Sequence, residues 1–106
     1  MSKKYVEATL SMVLTEGEKN RIRIINENEN IQIIVDVHGL KTHEAKRLIN
    51  NLVVMLRGSF ELKIIHGYNH GTSIKEMIWN EFKNKKVVNK LADKSNLGVT
   101  YLAVGV

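Results

Sequence analysis

Residues 31–37, Ile-Gln-Ile-Ile-Val-Asp-Val, constrain the fold more than any other stretch of the chain. The run is apolar and β-branched, so it reads as a strand, and one covered on both faces. Gly39 breaks it. Thr42 then reads as a helix N-cap, with Glu44 in the acidic first turn. Ala45, Leu48, Ile49, Leu52, Val53 and Leu56 recur at helical spacing through Arg57, and Gly58 is a natural stop.

The same alternation continues downstream. Phe60, Leu62, Ile64 and Ile65 predict a second strand ending at His66-Gly67. Ser73 and Glu76 have capping-box spacing and open a second helix, whose buried stripe is Ile74, Met77, Ile78 and Phe82. Residues 87–93 and 99–104 read as two final strands turned by Ser95-Asn96-Leu97-Gly98. The expected order is β-α-β-α-β-β, an α/β (α+β) sandwich. Its four-stranded mixed sheet has parallel, right-handed crossovers first and an antiparallel hairpin last, with two helices packed on it.

Residues 1–30 are expected to form an arm packed on this 31–106 domain. Val6, Ala8, Leu10, Met12 and Leu14 alternate with polar residues, which favours a strand. Ile22, Ile24 and Ile25 suit a returning strand, making a hairpin, although residues 18–27 read equally as a short helix. The polar stretch Asn26-Glu27-Asn28-Glu29-Asn30 separates arm from body.

With 106 residues, one core is expected. The chain contains no cysteine and no proline. Disulfides and thiolate metal sites are therefore out, and the cytoplasm is the expected compartment. Neither a membrane-crossing apolar stretch nor a secretory signal is read in the sequence. A net charge of +5 suggests a polyanionic partner.

Parallel pairing of the first two main strands would bring two polar clusters to one sheet edge, the edge that ligands favour in open α/β sheets. One is Asp36-Val37-His38-Gly39, and the other His66-Gly67-Tyr68-Asn69-His70-Gly71. Asp36 and His38 share a strand face, and a carboxylate beside an imidazole orients its tautomer. With His66 they suit general acid–base work on a phosphodiester. The same histidines would also serve simply to bond loop backbone. The loop from Gly67 to Gly71 precedes a helix N-terminus, which favours an anion, or is an ordinary turn. Lys75, Trp79 and Lys83 share a helix face, extended by Lys85 and Lys86. That face is either a phosphate-tracking stripe or a solvated surface with Trp79 sealing the core edge. A metal set of Asp36, His38 and His66 ranks below metal-free chemistry, and no cofactor is required, a divalent metal being the secondary option.

Residues 34–40, Ile-Val-Asp-Val-His-Gly-Leu, resemble the Asp-x-His-Gly signature that opens the Smr (small MutS-related) domain. Ile64-Ile65-His66-Gly67 is similar to that family's His-Gly-x-Gly loop, and Gly98-Val99-Thr100-Tyr101-Leu102 to its final strand. The matches span about residues 31–104. The resemblance implies a sandwich like the C-terminal domain of translation initiation factor three, DNA or RNA binding and, in several members, endonuclease activity. Asp36, His38 and His66 would be catalytic. Gly67, Asn69, His70, Gly71, Lys75 and Lys41 would contact nucleic acid. Asn69 stands where the family has glycine, but asparagine tolerates left-handed backbone. The 67–74 segment is one residue longer than usual, and Tyr68 and His70 replace commoner small or basic residues.

The leading expectation is a nucleic-acid-binding endonuclease acting on RNA or structured DNA through His/Asp acid–base chemistry. The alternative is a non-catalytic module that binds nucleic acid or the ribosome. An enzyme acting on a small phosphorylated metabolite ranks third.

Overall fold

The computed structural model describes residues 1–28, 30–69 and 71–105. In chain order the elements are α1 (Lys3–Val13), α2 (Glu16–Lys19), β1 (Ile22–Glu27), β2 (Asn30–Asp36), α3 (Thr42–Met55), β3 (Phe60–Ile65), α4 (Ser73–Glu76, continuing as a π-helical turn over Met77–Glu81), β4 (Val87–Ala92) and β5 (Val99–Val104). The strands form one mixed sheet of five, ordered β1-β2-β3-β5-β4. The class is the expected α+β one. The sheet has five strands rather than four, because the arm supplies the edge strand β1, antiparallel to β2. β2 and β3 are parallel, and β4 and β5 form the terminal antiparallel hairpin.

The expected arm hairpin does not form, since residues 3–13 are helical. The alternating set contains Val6, Leu10 and Leu14, which are also spaced by four and fall on one helix face. Those three are buried in the core, while Met12 is 86% exposed. Ser2 caps the helix by accepting the Tyr5 N–H. Of the two readings left open for residues 18–27, the strand is the one found from Ile22 onward.

All helices with buried residues contribute to one aliphatic core over a single sheet face. Val6 and Leu10, the α3 stripe and Ile74, Met77 and Ile78 join Ile31, Ile33 and Val35 of β2 and Val37 just past its end. Helices therefore cover β2 on one face rather than both. Ile34, on the opposite face, stays buried between Arg23 and Lys63, its register partners on the flanking strands. Long basic side chains shade apolar neighbours with their stems while keeping the charge in water.

Two lysines close helix ends, one of them at α3, where Gly58 was expected to supply the stop. Lys86 Nζ donates to the carbonyls of Val53 and Leu56 at the end of α3, at 3.3 and 2.9 Å. Lys90 Nζ donates to those of Ile78 and Phe82 at the end of the π-helical turn, at 2.8 Å each. Lys86 thus belongs to the scaffold rather than to a phosphate-tracking stripe. At the helix starts, Lys41 and not Thr42 is the cap of α3, with the Glu44 carboxylate accepting its N–H at 3.0 Å. Thr72 and not Ser73 precedes α4, and its hydroxyl bonds the Glu76 carboxylate. Among the described residues no helix is long and apolar enough to cross a membrane.

Candidate active site

Parallel pairing of β2 and β3 places both histidine-bearing tips on one rim. The Val37 N–H donates to the Ile65 carbonyl at 2.9 Å, so the two strands stay joined up to their last residues. Beyond that point the chain turns at Val37-His38-Gly39-Leu40, closed by a Leu40 N–H to Val37 carbonyl bond of 3.1 Å. Gly39 sits third in this turn with φ +79°, the left-handed conformation a type II turn requires there. His38 is thereby lifted off the strand end, and its side chain is 65% exposed.

Asp36 holds His38 twice. One carboxylate oxygen accepts the His38 backbone N–H at 3.1 Å and also bonds the ring Nδ1. A carboxylate accepts, so Nδ1 carries the proton, and in the neutral ring Nε2 carries the lone pair. Among the described residues no group bonds Nε2. From below, Arg21 Nη1 donates to the carbonyls of Asp36 and His38, at 3.1 and 3.3 Å. Sequence reading missed Arg21, which lies in the arm and comes under the β2 tip only because β1 pairs with β2.

His66 is built differently. It is buried, at 5% exposure, with both ring nitrogens engaged inside the protein. Nδ1–H donates to the Gly67 carbonyl at 2.8 Å. Nε2 accepts the hydroxyl of fully buried Thr100 at 2.9 Å, and that oxygen takes the Trp79 indole N–H at 3.1 Å. Burial holds the His66 pKa below the ordinary imidazole value; the Gly67 bond opposes this and the nearby Lys75 charge adds to it. Trp79 therefore does more than seal the core edge, since its N–H anchors a buried polar chain. Thr100 lay inside the final-strand motif, but no local signal tied it to His66, 34 residues earlier.

The tips enclose a cleft of about 640 Å³. Its walls include His38, Lys41, His66, Gly67, Asn69 and Gly71. Tip-to-tip contact is close, for a Cβ on Gly67 would lie 3.4 Å from the His38 Cβ. Lys75 stands at one side, its ammonium 5.9 Å from the Tyr68 ring centre. His70 lies outside the described residues. No three His, Asp or Glu side chains among the described residues are grouped to hold a metal ion, and Asp36, His38 and His66 do not form such a group. The rim thus offers a carboxylate-oriented, solvent-facing imidazole beside a cleft whose wall includes Lys41. That arrangement can accept a proton from a hydroxyl or water and hold an anion nearby.

No protein-family model, curated protein or solved structure matches the chain.

Proposed function

We propose that the chain is a nucleic-acid-binding domain of the Smr type that cleaves a phosphodiester bond in RNA or structured DNA, with His38 as the proton-transferring group. One observation carries this reading: the Asp36–His38 pair stands at the mouth of a cleft that Lys41 also lines. The basic net charge and the three resemblances to the Smr motifs support it.

In this reading Asp36 fixes the Nδ1–H tautomer, and Nε2 takes the proton of the attacking group. On RNA the 2′-hydroxyl is that group. Its oxygen bonds to phosphorus as the bond to the 5′-oxygen breaks, and the imidazolium returns the proton to the leaving oxygen. On DNA, water attacks instead. Lys41 and Lys75 offset the phosphate charge. His66, with both nitrogens bonded internally, positions the Gly67 loop rather than exchanging protons.

The test is incubation of end-labelled RNA and DNA with purified wild type and His38→Ala, each with and without chelator. Cleavage by wild type that His38→Ala loses by about 100-fold or more, with oligonucleotide binding retained, is the expected result. Equal cleavage by both would overturn the catalytic assignment. The internal bonding of His66 favours a second reading, a module that binds nucleic acid or the ribosome without cutting. Salt-sensitive binding with no wild-type cleavage in any arm would select it.

A further inference from the structure

The loop carrying Gly67, Tyr68 and Asn69 has a cleft on each side, since these three residues line both. The second cleft, of about 400 Å³, lies between this loop and the β4–β5 turn, which contributes Asn96, Leu97 and Gly98.

Its walls are held at a fixed spacing. The backbone N–H groups of His66 and Gly67 both donate to the Gly98 carbonyl, at 2.9 and 3.1 Å. The contact is backbone on backbone, and a Cβ on Gly98 would lie only 3.1 Å from the Gly67 Cα. The cleft is therefore formed before any ligand arrives.

The lining chemistry is specific. Tyr68 and Leu97, two of the larger apolar side chains on the surface, are 49% and 55% exposed and both border this cleft. The Lys75 ammonium lies over the Tyr68 ring. Asn96 Oδ1 accepts the Gly98 N–H at 2.9 Å, which fixes the carboxamide and leaves its amino group as a donor. Asn69 adds a second carboxamide. A flat, polarisable ring with hydrogen-bonding edges suits such a set, stacking on the aromatic face and meeting amide donors at its rim.

We propose that this second cleft takes an unpaired nucleobase next to the phosphate held at His38, which makes a single-stranded or looped nucleic acid the preferred substrate. The inference rests on the function proposed above. A base inside a duplex has both faces stacked and cannot enter.

The experiment is fluorescence anisotropy with labelled single-stranded 2′-O-methyl-ribo and deoxyribo oligonucleotides, the matching duplexes, and a series carrying one abasic nucleotide at successive positions. Wild type is compared with Tyr68→Phe, Tyr68→Ala and Leu97→Ala, all at exposed positions that spare the core. Tyr68→Ala and Leu97→Ala are expected to weaken single-strand binding about tenfold, with Tyr68→Phe close to wild type. One abasic position should cost a similar factor in wild type and nothing further in Tyr68→Ala. The backbone type showing the effect identifies the nucleic acid. If wild type binds the probes but all three variants and every abasic probe match it, or if duplex binds more tightly than single strand, the base cleft is overturned and the proposed function stands. If wild type binds none of the probes, the proposed function fails and the inference with it.

Discussion

Asp36 and His66 both partner a proton-bearing group, yet they predict different experiments. Asp36 touches His38 through the ring and the backbone N–H. Asp36→Asn keeps the shape but removes the carboxylate charge, and its amide can turn an N–H toward the ring and so release the Nδ1–H tautomer. Cleavage is expected to fall about 100-fold while oligonucleotide affinity holds, as read by single-turnover kinetics beside anisotropy. His66 concerns stability. Its folded pKa is lowered, chiefly by burial, so as pH falls the unfolded chain takes the proton first. Stability from the neutral ring is complete above the unfolded value of about 6.5 and declines below it, until the folded pKa is reached. Urea midpoints at pH 8 and pH 5.5 should therefore drop further for wild type than for His66→Gln, which has no such titration. Equal drops would remove His66 from the acid response.

At the scale of elements, polar side chains from the second half of the chain tie the helices and the rim loop to the sheet. Thr100 on β5 links Trp79 of α4 to His66 at the β3 tip. Thr100→Val keeps the volume but leaves a buried ring nitrogen and an indole N–H without their partner. The expected cost is about 2 kcal/mol, or about 10 °C in Tm, with Thr100→Ser close to wild type. Trp79 is the single tryptophan, so its own fluorescence can follow the melt. Lys90 closes the π-helical turn through two carbonyls. Its ammonium is held below the ordinary lysine pKa, first by desolvation and then by Lys83. Lys90→Met keeps the stem and loses both bonds. It should cost about 1 kcal/mol, with hydrogen exchange accelerated at the C-terminal end of that turn and not in α3.

Across the whole molecule, the net charge of +5 is a statement about partners rather than about fold. Lys41 lies in the wall of the rim cleft, and Lys75 stands over Tyr68, which also lines it. If these meet phosphates, the logarithm of affinity should fall linearly with the logarithm of salt. Lys41→Gln or Lys75→Gln should each flatten that slope by about 0.7 for a single strand. Lys86→Gln should leave the slope unchanged, because Lys86 is occupied at the end of α3. A flattened slope for Lys86→Gln with none for the rim lysines would put the polyanion elsewhere.

From residue 31 onward, strands and helices were readable locally, because period-two and period-3.6 patterns seldom fit the same residues for long. The α3 stripe and the parallel tips followed from that, and with them the meeting of Asp36, His38 and His66 at one rim. In residues 6–14 the two periods coincide, since Val6, Leu10 and Leu14 satisfy both, and only a core to pack against selects the helix. The same limit applies to the site. Local order places His38 beside Asp36, but the burial of His66 against Thr100, the support from Arg21 and the clamp between Gly67 and Gly98 join segments distant in the chain. Such contacts exist only once the sheet has closed, because no periodicity encodes which distant hydroxyl, guanidinium or carbonyl a side chain will meet.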